Sequence, residues 1–168
     1  MKKLLFALIG FSLLAGVCCQ DESGFEKEKK AIIAVIEKEK IAYFQKDLAG
    51  MDDSWIQDPS SHKFFLTPHG MTELIGWKEI HQHNIEESQR ERSGIEETTQ
   101  YGNYTINVYG NTALVFHDSN HVIKIQEEEN LLKMRRIVHM VKIADDWKID
   151  LMAMYFHPES SKVQQAEE

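Results

Sequence analysis

Eight histidines are spread through the chain, at positions 62, 69, 81, 83, 117, 121, 139 and 157. Imidazole is the side chain best suited to taking up or giving up a proton near neutral pH. The most suggestive spacing involves His139. It sits in the alternating run Val138-His139-Met140-Val141-Lys142-Ile143, and Asp150 sits in the next run, Ile149-Asp150-Leu151-Met152-Ala153-Met154. A turn centred near Asp145 brings positions 139 and 150 close in register. With both side chains on the inside of a curved sheet, Asp150 would orient His139 for proton transfer. On the other face they would form a solvated or interfacial polar pair.

A second group could hold an organic ligand. Trp55, His62, Phe64, Trp77 and His81 combine apolar area with ring nitrogens, as the helical side and mouth of a pocket would. Each also has a packing role open to it: the two tryptophans and Phe64 as core anchors, His62 as a brace for a turn. Lys133, Arg135 and Arg136 form the one local positive cluster of the strand region. They either meet an anionic ligand or partner, or protect a solvated strand edge. No metal is expected: His81 and His83, two apart on a helix, point in different directions. No cofactor is expected either. GxGxxG, GxxxxGK, paired CxxC and GxSxG patterns are all absent. Nor is nucleic acid expected as a partner. The formal charge is −8, and Glu127-Glu128-Glu129 just upstream of the basic cluster argues against a continuous nucleic-acid patch.

These residues need elements to position them. The 168 residues suffice for one domain. Lys2 and Lys3 followed by an apolar run from Leu4 to Val17 predict an export signal over residues 1–20. That segment holds two lysines and no acid, so the remainder has 17 basic and 27 acidic side chains, a formal charge of −10. Cys18 and Cys19 close the signal and leave no cysteine for a disulfide framework. Leu14-Ala15-Gly16-Val17-Cys18-Cys19 is similar to a bacterial lipoprotein signal, with Val17 interrupting the usual box. Lipidation of Cys18 or Cys19 would anchor the product to the cell envelope, and this is the one membrane attachment expected. Simple cleavage would release it to the periplasm. Residues 21–27 read as a short tether, 28–157 as the domain and 158–168 as a polar tail.

Within the domain, Ile32, Val35, Ile36 and Tyr43 predict a first helix from about Phe25 to Leu48, with Gly50 as its left-handed cap. A short helix follows over 52–56, a strand over 63–67 and a turn at Pro68-His69-Gly70. A further helix runs from Gly76 or Trp77 to Arg92, with Ile80, His83 or Asn84, and Glu87 on one face. Beyond Gly94 the period becomes two. Strands are predicted around 104–109, 113–117, 121–126, 132–144 and 147–157, with turns at Gly110-Asn111 and Ala144-Asp145-Asp146. Helices first and antiparallel strands after give an α+β fold, a curved mixed or antiparallel sheet wrapped by about three helices.

Four fragments carry a family resemblance. Ala42-Tyr43-Phe44-Gln45-Lys46-Asp47-Leu48, Gly76-Trp77-Lys78-Glu79-Ile80, Tyr109-Gly110-Asn111-Thr112-Ala113 and Ala144-Asp145-Asp146-Trp147-Lys148-Ile149 occur in an order that resembles the SnoaL-like division of the nuclear transport factor 2-like superfamily. The resemblance covers roughly residues 28–157. It implies a cone-shaped bent sheet around a pocket, commonly in a homodimer. It also implies a small, apolar or weakly anionic organic ligand. Relatives include isomerases, cyclases and dehydratases that work without a cofactor, as well as non-catalytic interaction domains, so the fold leaves enzyme or binder open. Under the resemblance Tyr43 falls where an isomerase-like member places a phenol that can stabilise an oxyanion. Asp58 falls near a pocket-edge acid, although Pro59 beside it fits a turn.

Overall fold

The computed structural model describes residues 22–67, 70–126, 128–156 and 161–162. The predicted signal and both cysteines, together with Pro68, His69 and His157, lie outside the described residues.

The chain runs α1 (Glu22–Gln45), α2 (Leu48–Asp53), β1 (His62–Thr67), β2 (Gly70–Ile75), α3 (Trp77–Gln89), β3 (Ile95–Tyr109), β4 (Thr112–Ile125), β5 (Glu128–Ile143), β6 (Asp146–Phe156) and β7 (Ser161–Lys162). The strands form one sheet in the order β2-β1-β6-β5-β4-β3, with the two-residue β7 paired to β5. Pairing is antiparallel except between β1 and β6, which run parallel. The expected α+β fold, a curved sheet with three helices, is therefore what the chain adopts.

Several boundaries differ from the sequence reading. α1 begins at Glu22, three residues before the start expected at about Phe25. That helix ends at Lys46, which takes the left-handed conformation (φ 58°) assigned to Gly50. Gly50 instead lies inside α2, where a Cβ would come within 2.9 Å of the Ala42 methyl; glycine is there for close approach. The short helix begins at Leu48, four residues early, because Asp47 caps it by accepting from the Gly50 amide at 3.0 Å. Gly70 opens a strand, β2, that was not anticipated. Residues 161–162, expected to be part of a frayed tail, pair with Leu131 and Asn130.

The last hairpin matches its sequence signal. Ala144 (φ 49°) and Asp145 (φ 74°) both have positive φ, as a tight primed turn between twisted strands requires. Its neighbour hairpin turns on Gly110 (φ 63°).

The inner face of the sheet has two zones. Towards the β5–β6 turn it is filled. Val115, Val138, Met140, Trp147, Ile149 and Met152 pack there against Ile32 and Ile36 of α1, all of them buried. Each such side chain contributes about 1.5–3 kcal/mol of apolar burial. Glu28 ties α1 to this end, accepting from the Trp147 indole at 2.7 Å and from the Lys142 ammonium at 2.8 Å. Towards the opposite ends of β4, β5 and β6 the inner face is not filled.

Candidate functional site: a polar-floored cavity

The unfilled zone is a cavity of about 410 Å³. Its apolar wall comes from Phe44 on α1, Phe65 on β1, Ile123 on β4, Leu132 and Met134 on β5, and Met154 and Phe156 on β6. Polar groups converge on it from α1, β1, β4 and β5 and also from α3 and β3: Glu39, Tyr43, Lys63, His83, Glu87, Glu97, Tyr101, His121 and Arg136. The volume suits a small organic molecule.

Strand alternation places the charges. On β1, Lys63 and Phe65 face inward, in register with the inward Met152 and Met154 of β6. Lys63 is only 3% exposed. Its ammonium lies over the rings of Trp55 (5.6 Å) and Phe65 (5.5 Å), with no carboxylate within ion-pair distance among the described residues. Burial holds its pKa below the ordinary lysine value, against the pull of Glu39; the nearby Arg136 pushes the same way as burial. Arg136 is buried on β5. One of its terminal nitrogens stands 3.8 Å from a Glu39 carboxylate oxygen and 3.8 Å from the Met152 sulfur, while its Nε has no partner among the described residues. Its guanidinium also lies over the Tyr101 ring at 4.7 Å.

Glu87 on α3 is already satisfied. It accepts from Tyr43 Oη at 2.9 Å and pairs with Arg90 (2.7 Å) and Arg92 (3.2 Å). The one hydroxyl proton of Tyr43 is therefore directed at Glu87 and not into the cavity. Burial and the Glu87 charge raise the Tyr43 pKa, so the phenol stays neutral. Tyr101 is the freer phenol. It lines the cavity, its hydroxyl makes no hydrogen bond to a described residue, and burial pushes its pKa up.

His121 anchors the third polar station. Its Nδ1 lies 2.8 Å from Glu97 Oε1 and 2.8 Å from Thr99 Oγ1, and its Nε2 lies 2.6 Å from Ser119 Oγ. The register explains the cluster: Ser119 and His121 are successive inward residues of β4, opposite Tyr101 and Thr99 of β3. Glu97 can hold Nδ1 as the protonated nitrogen, which leaves Nε2 to accept from Ser119. His83 also borders the cavity, its ring tilted against Phe65 with centroids 5.2 Å apart; burial, then the Lys63 charge, lowers its pKa to about 4, so it is neutral at pH 7.

Of the candidate catalytic and ligand-contact residues, Tyr43 lines this cavity, whereas Trp55, His62, Phe64, Trp77, His81, His139 and Asp150 do not. His139 and Asp150 do meet, Nδ1 to Oδ2 at 3.0 Å, but on the outer face of the sheet. His139 is paired with Leu114, which alternates with the buried Ala113 and Val115. A register shift between His139 and Met140 then sets Asp150 beside it on that face. Trp55 is a buried core residue. His62 and Phe64 stack on each other (5.7 Å) on the face of β1 opposite Lys63. Trp77 packs on His81 (5.4 Å), and His81 pairs with Asp52 at 2.8 Å, within the helical layer. Asp58 accepts from the Ser60 amide and hydroxyl, both at 2.8 Å, which holds its carboxyl below the usual range. Of the basic cluster, Arg136 alone borders the cavity; Arg135 faces outward near Asp118 (3.8 Å). Among the described residues no three His, Cys, Asp or Glu side chains converge as a metal site.

No protein-family model matches the chain, and no curated protein matches it in sequence. Solved structures do match its fold. A function-unknown protein from Mycobacterium tuberculosis superposes with a TM-score of 0.66 at 11% identity, covering 82% of this chain and 76% of that one. A putative scytalone dehydratase from Novosphingobium aromaticivorans gives 0.64 at 13% identity, covering 87% and 99%. A nuclear transport factor 2-like superfamily protein from Salmonella enterica serovar Typhimurium gives 0.63 at 17% identity, covering 86% and 98%. At these identities the likeness is one of architecture, and on that ground the chain has the nuclear transport factor 2-like fold.

Proposed function

We propose that this chain is an exported, SnoaL-like domain that binds a small organic molecule with a largely apolar body. One observation carries the reading. The inner face is packed at one end and left open at the other, as a 410 Å³ cavity whose apolar wall surrounds converging polar groups. A purely structural domain would gain from filling that space, since an unfilled apolar wall forfeits packing contacts. Export, to the periplasm or to a lipid anchor at Cys18 or Cys19, rests on the amino-terminal sequence. A homodimer through the outer face of the sheet fits the apolar Leu114, Phe116, Ile137 and Val141 there, which none of the three described helices covers.

Cofactor-independent acid–base catalysis, such as isomerisation, cyclisation or dehydration, is the second reading. The Glu97–His121 pair favours it. A substrate acid replacing Ser119 at Nε2 would hand its proton to the ring, and Glu97 would stabilise the imidazolium. Tyr101, neutral and uncommitted, would donate to a developing oxyanion.

The test is native mass spectrometry of the chain against a library of small organic molecules, beside the variant Ile123→Trp, which fills the cavity. Binding by the parent and its loss in a folded variant support the reading. Equal binding by both defeats it. Substrates found this way then test catalysis: turnover unchanged in His121→Gln would end the acid–base role.

A further inference from the structure

We infer that the cavity takes an organic anion, a carboxylate or another compact oxyanion on an apolar body, held by Arg136 and Lys63. The inference rests on the ligand-binding reading above and names the class of ligand.

The argument starts from charge. Two cations, Lys63 and Arg136, line the cavity from the strands on either side of β6 and are buried, 3% and 7% exposed. One carboxylate, Glu39, accompanies them, and it reaches Arg136 only at 3.8 Å, beyond hydrogen-bond distance. Glu87 does not balance the second cation. It is bound by Tyr43, Arg90 and Arg92. Glu97 is engaged by His121. The floor therefore carries one positive charge in excess, in a setting where uncompensated charge is costly.

Hydrogen bonding points the same way. Guanidinium carries five N–H donors in a planar fork that matches a carboxylate. Here its Nε has no partner among the described residues, and a terminal nitrogen donates to the Met152 sulfur at 3.8 Å. The ring of Tyr101 lies under the guanidinium at 4.7 Å and fixes its plane. The Lys63 ammonium rests over aromatic rings with no carboxylate at ion-pair distance among the described residues. A bound oxyanion would give both cations their missing acceptor. The ligand's body would lie along Met134, Met154 and Phe156.

Matched pairs of probes test this: naphthylacetate and 4-phenylbutyrate, each against its neutral amide of nearly equal size. Affinities are read by naphthalene fluorescence and by calorimetry, in the full chain and in Lys63→Met and Arg136→Met. The expected result is that carboxylates bind at least 10-fold tighter than their amides. Either substitution should remove that preference while leaving amide affinity within about 2-fold. Equal affinity for acid and amide overturns the anion and leaves the cavity reading standing. Binding by neither member of any pair overturns both. A preference that survives Lys63→Met and Arg136→Met overturns the assignment to these two cations. Should Arg136→Met fail to fold, the acid–amide comparison in the parent and in Lys63→Met decides the matter.

Discussion

His139 Nδ1 meets Asp150 Oδ2 at 3.0 Å across the β5–β6 pair, on the side of the sheet that faces away from the cavity. The contact follows from a bulge that puts Asp150 and Leu151 opposite one histidine. A His139→Gln substitution should accordingly leave cavity ligand affinity within about 2-fold of the parent. Stability should change by no more than about 1 kcal/mol, the scale of a partly exposed ion pair. Calorimetric titration and denaturant unfolding measure both; a loss of ligand affinity would place the pair in the site after all.

On the same outer face Phe116 lies between Thr105 and Ile137. If copies of the chain join through that face, Phe116→Glu should yield the protomer mass in light scattering, with cavity binding retained. A parent chain that already runs at the protomer mass across a broad concentration range counts against the dimer.

One buried and one half-buried imidazole should make the fold acid-sensitive. His117 is fully buried between Tyr101 (4.8 Å) and Tyr104 (5.0 Å), and burial, then the Arg136 charge, lowers its pKa to about 4. His83 is lowered likewise, to about 4. Above the ordinary value of 6.5 both states of the chain hold these rings neutral. Between 6.5 and 4 the unfolded chain takes up protons that the folded chain refuses, so stability falls as pH drops through this window. Thermal melts from pH 7.5 to 4 should show it, and His117→Phe should flatten the slope. An unchanged slope in that variant assigns the effect elsewhere.

Glu28 accepts two hydrogen bonds from the two strands of the last hairpin beside its turn, from Lys142 and Trp147, which face each other across the pair. Glu28→Ala should cost about 1–3 kcal/mol in denaturant unfolding, because the indole N–H loses its acceptor. Trp147 emission gives a local readout. A cost below about 0.5 kcal/mol would show that the pair of bonds does little to fasten α1.

Gly76 opens α3 at φ 83°, with the Pro59 carbonyl 3.1 Å from where a Cβ would stand. Gly76→Ala should destabilise by about 1–3 kcal/mol through backbone strain alone. An Ala variant as stable as the parent would mean that the junction relaxes freely.

What the sequence revealed and what it hid follow the same physical line. Alternation with clear turn residues located β5 and β6, and the two runs expected at 113–117 and 121–126 join as the single strand β4; the positive-φ turn lies at Ala144-Asp145, within the expected turn. The cavity was hidden because its lining violates alternation. Lys63 and Glu87 carry charged side chains, a type that ordinarily faces solvent, yet both are buried. The start of β3, Ile95-Glu96-Glu97-Thr98-Thr99-Gln100, is polar on both faces and so gave no strand signal. Ser119 and His121 were separated only by Asn120, and their shared inward face could be read only once β4 was known to continue through them. His139 and Asp150 were rightly judged neighbours. Which face they occupied depended on a bulge that no residue announces.

The parallel pairing of β1 with β6 bears on how the molecule comes to exist. Residues 62–66 find their inner partner only at residues 151–155, so the first half of the chain has no sheet to join until almost the last strand is present. Such long-range closure slows folding. A chain emerging amino terminus first would remain unfolded for nearly its whole passage, and loss of its final dozen paired residues would cost it the sheet's connection to β1 rather than a local fray.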